Sequence, residues 1–539
     1  MNKLKPKKNW VWWKHGVIYH IYPRSFYDTD KDGVGDLIGI IRKLDYLKND
    51  LGVDAIWLSP IYMSPQIDFG YDVADYRQID PAFGSLKDFN KLIKKAHTRK
   101  IKVVMDLIMN HTSNQHSWFI TSASSIDNDK RDWYIWRDGV NGGPPNNWKT
   151  VFGGSAWEYH PDTGQYYYHS FLKEQPDLNW RNKELQNEFF DIVEYWLEMG
   201  VDGFRLDVAN LIIKDKKLRN NPGIIGQLKK GHKIYTRNRP RSIKTLKELR
   251  KVVDRHKNRM TVGEIYTLPP GDSSLAASYL GSGKNSLHLA FDFSLIFKPW
   301  NAKIYSETIQ RWIDLIPKKG WPCHVLSNHD LFRSYNRPFW KLYKNKKAIV
   351  SAFLLLTLKG TPFIYYGEEI GMQNTRLPRI HIKDPLGKRF WPFYTGRDKA
   401  RLPMQWNKTK NSGFSKGKPW LPINNRYKIV NVETQMENNH SLFNYYRRLI
   451  KLRKKYPALY AGEWELLIPG DKGVMVYKRT YKHDNIIVLL NFKPVKRSVV
   501  LDGDLEGLIL LSTHRKKKQL ILLEKITLKP FECLILEIV

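Results

Sequence analysis

What constrains this chain most is a unit that returns along it: an amphipathic helical stretch, a glycine or polar turn, a short apolar strand, and polar residues where the strand ends. LIGIIRKLDYLKNDLGVDAIWLSP, LKDFNKLIKKAHTRKIKVVMDLIMNH and KELQNEFFDIVEYWLEMGVDGFRLDVAN all carry it. In the last, Leu185, Phe189, Ile192, Val193, Trp196 and Leu197 follow helical spacing, and Gly200 ends the helix. TLKELRKVVDRHKNRMTVGEIY and AIVSAFLLLTLKGTPFIYYGEE repeat the unit. VIYHIYPRSF, LHLAFDFS and CHVLSNHD then complete eight strand candidates. Near-continuously apolar strands separated by helices argue for parallel pairing. The expected fold class is α/β, a (β/α)8 TIM barrel with its active site at the C-terminal strand ends.

Two stretches interrupt the unit. Residues 113–178, rich in Trp, Tyr, Gly and Asn, follow the third strand and read as an inserted small domain. Residues about 371–430 follow the eighth strand and read as a long structured loop region. Insertions on that face usually build the binding pocket. Short alternating strands near the C-terminus read as an antiparallel β-sandwich. The expected division is barrel 1–112, insert 113–178, barrel 179–455 and sandwich 456–539.

Composition excludes several classes. Cys323 and Cys533 lie far apart in apolar runs, so there is no disulfide framework. No apolar run approaches the roughly 20 residues that span a bilayer, and the basic N-terminus has no apolar core of a leader peptide. A cytoplasmic protein with no membrane partner is expected, as a monomer or small homo-oligomer. Lys plus Arg at 89 against Asp plus Glu at 53 gives a formal charge of +36. The lysines are scattered through runs such as LRKKYP and HRKKKQ rather than gathered in one arm. They read as a solvated surface, not a nucleic-acid site.

The strand ends carry the chemistry. The third ends in Asp106, Asn110 and His111, the fourth in Arg205 and Asp207, the fifth in Glu264, and the seventh in Asn328, His329 and Asp330. One Asp at a strand end is commonly a helix cap, but four carboxylates with Arg and His interleaved exceed what capping explains. Glycoside hydrolysis needs one carboxylate as nucleophile or base and one carboxylic acid of raised pKa. An arginine beside the nucleophile keeps it ionised.

DLIMNH, GFRLDVAN, TVGEIY and VLSNHD, in this order and spacing, resemble the four sequence regions of the α-amylase superfamily, glycoside hydrolase family thirteen. QPDLNW and GRDKARLPMQW are similar to its oligo-1,6-glucosidase and α-glucosidase branch. The resemblance implies Asp207 as nucleophile, Glu264 as general acid and then base, and Asp330 as the third carboxylate. It implies Arg205 and Asp106 beside the nucleophile, and His111 and His329 as hydroxyl ligands. Asp68 and Tyr71 match a pocket-closing aspartate and a stacking tyrosine, Arg397 and Arg401 the arginines that close the pocket. Phe171 is a candidate aromatic wall. The two-step retaining route implies Asp207 and Glu264 carboxyls roughly 5–5.5 Å apart. A blocked pocket implies exo-action on short oligosaccharides. The valine after the nucleophile, Val208, is linked in the branch to α-1,6 cleavage, so isomaltose-type substrates are expected. The alternatives are an α-1,4-specific α-glucosidase and a trehalose- or sucrose-acting hydrolase or isomerase of the same fold.

DTDKDGVGD, residues 28–36, begins like an EF-hand loop, but position 12 from Asp28 is Gly39 rather than the bidentate Glu. The loop still offers Asp28, Asp30, Asp32, the Val34 carbonyl and Asp36 around Gly33. These hard oxygens suit one structural Ca²⁺, and Mg²⁺ fits less well for want of a rigid octahedral cage. The oligo-1,6-glucosidase branch carries a similar calcium loop at this place. No organic cofactor is expected.

Overall fold

Helix Lys183–Glu198 shows how the sequence unit becomes structure. Asn182 caps its N-terminus by accepting from the Leu185 amide at 3.0 Å. Leu185, Phe189, Ile192, Val193, Trp196 and Leu197 are all buried on one face. Gly200 then takes φ +97° to turn the chain into the next strand. Helix Leu86–Thr98 begins on a capping box between Ser85 and Asp88 and buries Phe89, Leu92, Ile93 and Ala96.

The computed structural model describes residues 10–223, 234–267, 271–337, 342–501 and 506–539. Residues 1–9, on which part of the leader-peptide reading rests, lie outside the described residues. The barrel strands are β1 (Ile18–Ile21), β2 (Ala55–Leu58), β3 (Lys102–Leu107), β4 (Gly203–Leu206), β5 (Met260–Gly263), β6 (Leu289–Ala290), β7 (Cys323–Val325) and β8 (Thr361–Tyr365). They pair in parallel in the order β6-β5-β4-β3-β2-β1-β8-β7. Between β6 and β7 the Cys323 thiol donates to the Ala290 carbonyl at 3.1 Å, a side-chain bond at the seam of a nearly closed barrel. β6 is shorter than its apolar run suggests. Asp292 accepts from the Ser294 amide at 3.0 Å and from the Ser273 hydroxyl at 3.2 Å, which turns the chain into helix Ser294–Phe297.

Alternate residues divide the strands between two cores. Ile18, Ala55, Trp57, Val104, Val262 and Phe363 pack together inside the barrel. Tyr19, Ile56, Val103, Phe204 and Leu206 pack outward among the helices. The strands therefore read as continuous apolar runs because both faces are buried.

Between β3 and β4, strand Gln165–Tyr168 pairs antiparallel with Trp136–Arg137 and Trp157–His160, and Trp148, Trp157 and Tyr168 cluster beside them. The C-terminal sheet has six antiparallel strands, from Glu463–Pro469 to Cys533–Ile538. The pair Arg497–Val500 and Lys525–Leu528 covers one face of it: Val499, Ile526 and Leu528 pack on Val476, Leu489 and Leu534. Met475, Tyr477, Val488 and Ile535 point the other way and join the outer core of the barrel.

The aspartate loop 28–36 is clamped by the segment after β8. The Asp28 amide donates to the Phe414 carbonyl and the Trp420 amide to the Gly33 carbonyl, both at 3.0 Å. Gly33 has φ +92°, and a Cβ there would meet the Lys418 carbonyl oxygen at 1.9 Å. Only glycine fits that approach.

Candidate active site

Parallel register assembles the charged centre. Asp106 on β3 lies opposite Arg205 on β4, which in turn lies opposite Val262 on β5. Asp207 and Glu264 are the first residues beyond β4 and β5. Their amides still bond back, Asp207 to the Leu107 carbonyl at 3.1 Å and Glu264 to the Leu206 carbonyl at 2.9 Å. The buried Arg205 guanidinium donates from Nη1 to Asp106 Oδ1 at 2.8 Å and to Asp207 Oδ1 at 2.7 Å, while Nη2 contacts Glu264 Oε2. One cation thus spans the two carboxylates and fixes their separation to the width of a guanidinium.

A second group forms around Asp330. Arg401 Nη2 donates to Asp330 Oδ1 at 2.8 Å, His329 Nε2 lies 3.0 Å from Oδ2, and Tyr71 OH lies 2.5 Å from His329 Nε2. Arg397 Nη2 donates to Asp68 Oδ1 at 2.6 Å and to Asp384 Oδ1 at 2.8 Å, and its Nη1 lies 3.5 Å from Asp330. Gln175 Nε2 lies 3.2 Å from both Asp68 Oδ2 and His111 Nε2.

These groups surround a cavity of about 490 Å³. Asp68, Tyr71, His111, Phe171, Asp207, Val208, Glu264, Asp330 and Arg397 all reach its wall. Arg205, His329 and Arg401 do not; they lie behind it and hold the carboxylates. The rest of the wall is largely apolar, with Phe152, Phe293, Phe297, Leu331, Leu386 and Phe390. Val208 stands at φ +34°, an uncommon backbone for a β-branched residue, and aims its amide at Glu264 Oε2 at 3.5 Å.

Burial pushes the Glu264 carboxyl up to about 8 and that of Asp207 up to about 7, with Arg205 opposing the shift in both. Burial thus favours a proton shared by this pair of carboxyls beside Arg205, the condition a general acid next to a nucleophile needs. Burial also opposes ionisation of Asp330, but the hydrogen bond with His329 and the charges of Arg401 and Arg397 outweigh it and hold the carboxyl well below its ordinary range. His329 and His111 are each lowered to about 4 by burial and stand as neutral imidazoles.

The alpha amylase catalytic-domain family model matches residues 20–462. The chain belongs to that family. It is a glycoside hydrolase. The oligo-1,6-glucosidase of Parageobacillus thermoglucosidasius is 42% identical over 513 residues, covering 89% of this chain and 90% of that protein. The oligo-1,6-glucosidase of Bacillus cereus is 38% identical over 559 residues, covering 98% and 99%. The crystal structure of an alpha-glucosyl transfer enzyme, XgtA, superposes with a TM-score of 0.91 at 35% identity, covering 98% of this chain and all of that one.

Within this alpha amylase family chain, motif reading missed Asp384, and it gave no role to Gln175, which opens the QPDLNW stretch. Both sit in irregular segments, and their contacts with Arg397 and Asp68 reveal their place in the site. Carboxylate oxygens of Asp28, Asp30 and Asp36 converge within 4.8 Å of one another. Asp32 stands outside this group, exposed, and accepts from the Val34 amide at 2.7 Å. Asp36 also caps helix Leu37–Arg42 through the Gly39 amide at 2.6 Å. Three converging hard oxygens fit a calcium ion, whose coordination tolerates irregular geometry.

Proposed function

We propose that the chain is a retaining, exo-acting α-glucosidase that removes terminal glucose from short oligosaccharides, with preference for α-1,6 bonds. The carrying observation is the pair Asp207 and Glu264, bridged by Arg205 and facing one cavity, with burial favouring a protonated carboxyl in the pair. Asp207 attacks the anomeric carbon while Glu264 gives its proton to the glycosidic oxygen. The leaving sugar departs as an alcohol and a glucosyl ester remains on Asp207. Glu264, now a carboxylate, takes a proton from water, whose oxygen attacks the anomeric carbon and breaks the ester. The product keeps the α-configuration, and Glu264 is protonated again. Asp330, held ionised by Arg401 and Arg397, accepts hydroxyl hydrogen bonds from the bound ring. The Asp68–Arg397–Asp384 network blocks the pocket behind that ring, which supports exo-action.

The α-1,6 preference rests on Val208 at the cavity wall and on the oligo-1,6-glucosidases among the relatives. A panel of isomaltose, maltose, trehalose and sucrose tests it. Fastest release of glucose from isomaltose is expected; faster maltose cleavage would move the assignment to α-1,4.

Asp28, Asp30 and Asp36 would hold one calcium ion, which would neutralise their mutual repulsion and fasten the loop against the segment around Ser415, whose hydroxyl contacts Asp28. Removal of calcium by EDTA lowers the melting temperature on this reading, and an unchanged value would reject it. Among the described residues no helix is long and apolar enough to cross a membrane. A cytoplasmic location, free of membrane and nucleic-acid partners, accords with small oligosaccharide substrates.

A further inference from the structure

Two of the lysine-rich runs that look scattered in sequence meet in space. LRKKYP ends helix Leu442–Lys455, and HRKKKQ forms the turn after strand Glu506–Ser512. Between them lies a cleft of about 550 Å³ at the junction of barrel and sandwich. It shares no lining residue with the active-site cavity. Its cations are Arg448, Lys451, Lys455, Arg515, Lys516 and Lys517, and among the described residues no carboxylate lines it. Its floor is apolar, formed by Tyr445, Leu452, Leu510 and Leu511. A smaller adjoining cavity of about 210 Å³ shares Tyr445 and His514 and adds Lys346.

Most of the positive charge there has no carboxylate paired with it among the described residues. Lys451, Lys516 and Lys517 have no hydrogen bond or ion pair with any described residue, and only Arg515 reaches a carboxylate, Glu532, at 2.7 Å. His514 reports the local field: burial lowers its pKa, and Lys346, Lys529 and Arg515 lower it further while Glu532 alone opposes them. Like charges brought into one concave wall repel unless an anion joins them. A solvated lysine face needs neither concavity nor an aromatic floor.

We propose that this cleft binds a small anion carrying two or more phosphates, its charge taken by Lys451, Lys516, Lys517 and Arg448. Arginine and lysine donors around a confined volume suit phosphate oxygens. The volume falls in the range of small-molecule sites, which favour domain junctions. Arg448 lies over the Tyr445 ring at 4.6 Å, so a flat group attached to the phosphates has a stacking surface.

Titration calorimetry of the full chain with inorganic tripolyphosphate and with ATP tests this. The comparison is with Lys451→Ala/Lys516→Ala/Lys517→Ala and with a control, Lys87→Ala/Lys91→Ala/Lys94→Ala, which removes the same charge from helix Leu86–Thr98. Wild type and control should bind tripolyphosphate equally. The cleft variant should bind about a hundredfold more weakly, as expected for the loss of several charge-assisted bonds, with glucosidase activity unchanged. Lys451→Glu alone should weaken binding in the same direction. Tighter binding of ATP would identify the ligand as a nucleotide, and equal binding as polyphosphate itself; both support the site. Equal loss in the cleft variant and the control would show diffuse attraction to a basic surface and overturn it. So would binding of a single-stranded oligonucleotide without either small anion.

Discussion

At Glu264 a single proton separates catalysis from stability. Folding raises its carboxyl to about 8, chiefly through burial. The protonated form is thus favoured in the native state, and the stability this gives is lost as pH rises through that value. Glu264→Gln imposes a permanently neutral side chain, so the variant should melt higher than wild type by about 2 °C at alkaline pH. Its turnover should fall by about 10³-fold through loss of the acid. Calorimetry beside a glucoside assay checks both, and a lower melting temperature would mean that Glu264 is stabilised as the anion. The same two groups shape the pH profile. Activity should rise as the Asp207–Glu264 pair loses its first proton and fall as it loses the second, at pH of about 7 to 8. A profile flat from pH 6 to 9 would contradict that narrow bell.

Among the elements, the loop after β4 is joined to the insert by Lys214. Its buried ammonium pairs with Asp177 and donates to Asn110 Oδ1 at 2.7 Å, while Asp177 also accepts from the Ser170 amide at 2.5 Å and from Asn110 Nδ2 at 2.8 Å. Lys214→Met would leave Asp177 buried without its cation, at a cost of about 3–5 kcal/mol. Denaturant unfolding should show that loss, and a change below about 1 kcal/mol would show the pair to be dispensable. This contact was not legible in the sequence: Lys214 lies in an irregular stretch that only tertiary structure brings to Asp177. The elements themselves were legible. Helical spacing and apolar strands marked all eight barrel strands, because a strand buried on both faces leaves an unbroken apolar run. The charged residues after β3, β4, β5 and β7 stood out because a parallel barrel gathers those strand ends on one face. Asp384, the role of Gln175 within QPDLNW and the apolar part of the cavity wall escaped because irregular segments carry no period from which a facing direction can be read.

On the scale of the whole molecule, barrel and sandwich form one core. Tyr477 and Val488 of the sandwich pack in the same cluster as the outer barrel residues, and Arg479 donates to the Gly462 carbonyl at 2.8 Å and the Leu459 carbonyl at 3.1 Å. Arg453, on the last barrel helix, donates to the Leu356 and Leu358 carbonyls at 3.1 Å and to Leu459 at 2.9 Å. Arg479 also donates to the Thr357 carbonyl at 2.5 Å, so both buried arginines use carbonyls where helix Lys344–Thr357 ends, a favourable place for cations. Calorimetry should therefore show barrel and sandwich melting in one transition, and two resolved transitions would refute the shared core. That single frame keeps the ends of β3, β4, β5 and β7 in register, and the whole account depends on what those ends do to one glycosidic bond. The most direct test follows isomaltose hydrolysis by proton NMR from the first seconds. α-Glucose should appear from the cleaved non-reducing end and only later mutarotate, as a glucosyl ester on Asp207 requires. Initial β-glucose in excess of the anomeric mixture released from the reducing end would contradict the mechanism drawn from Asp207 and Glu264.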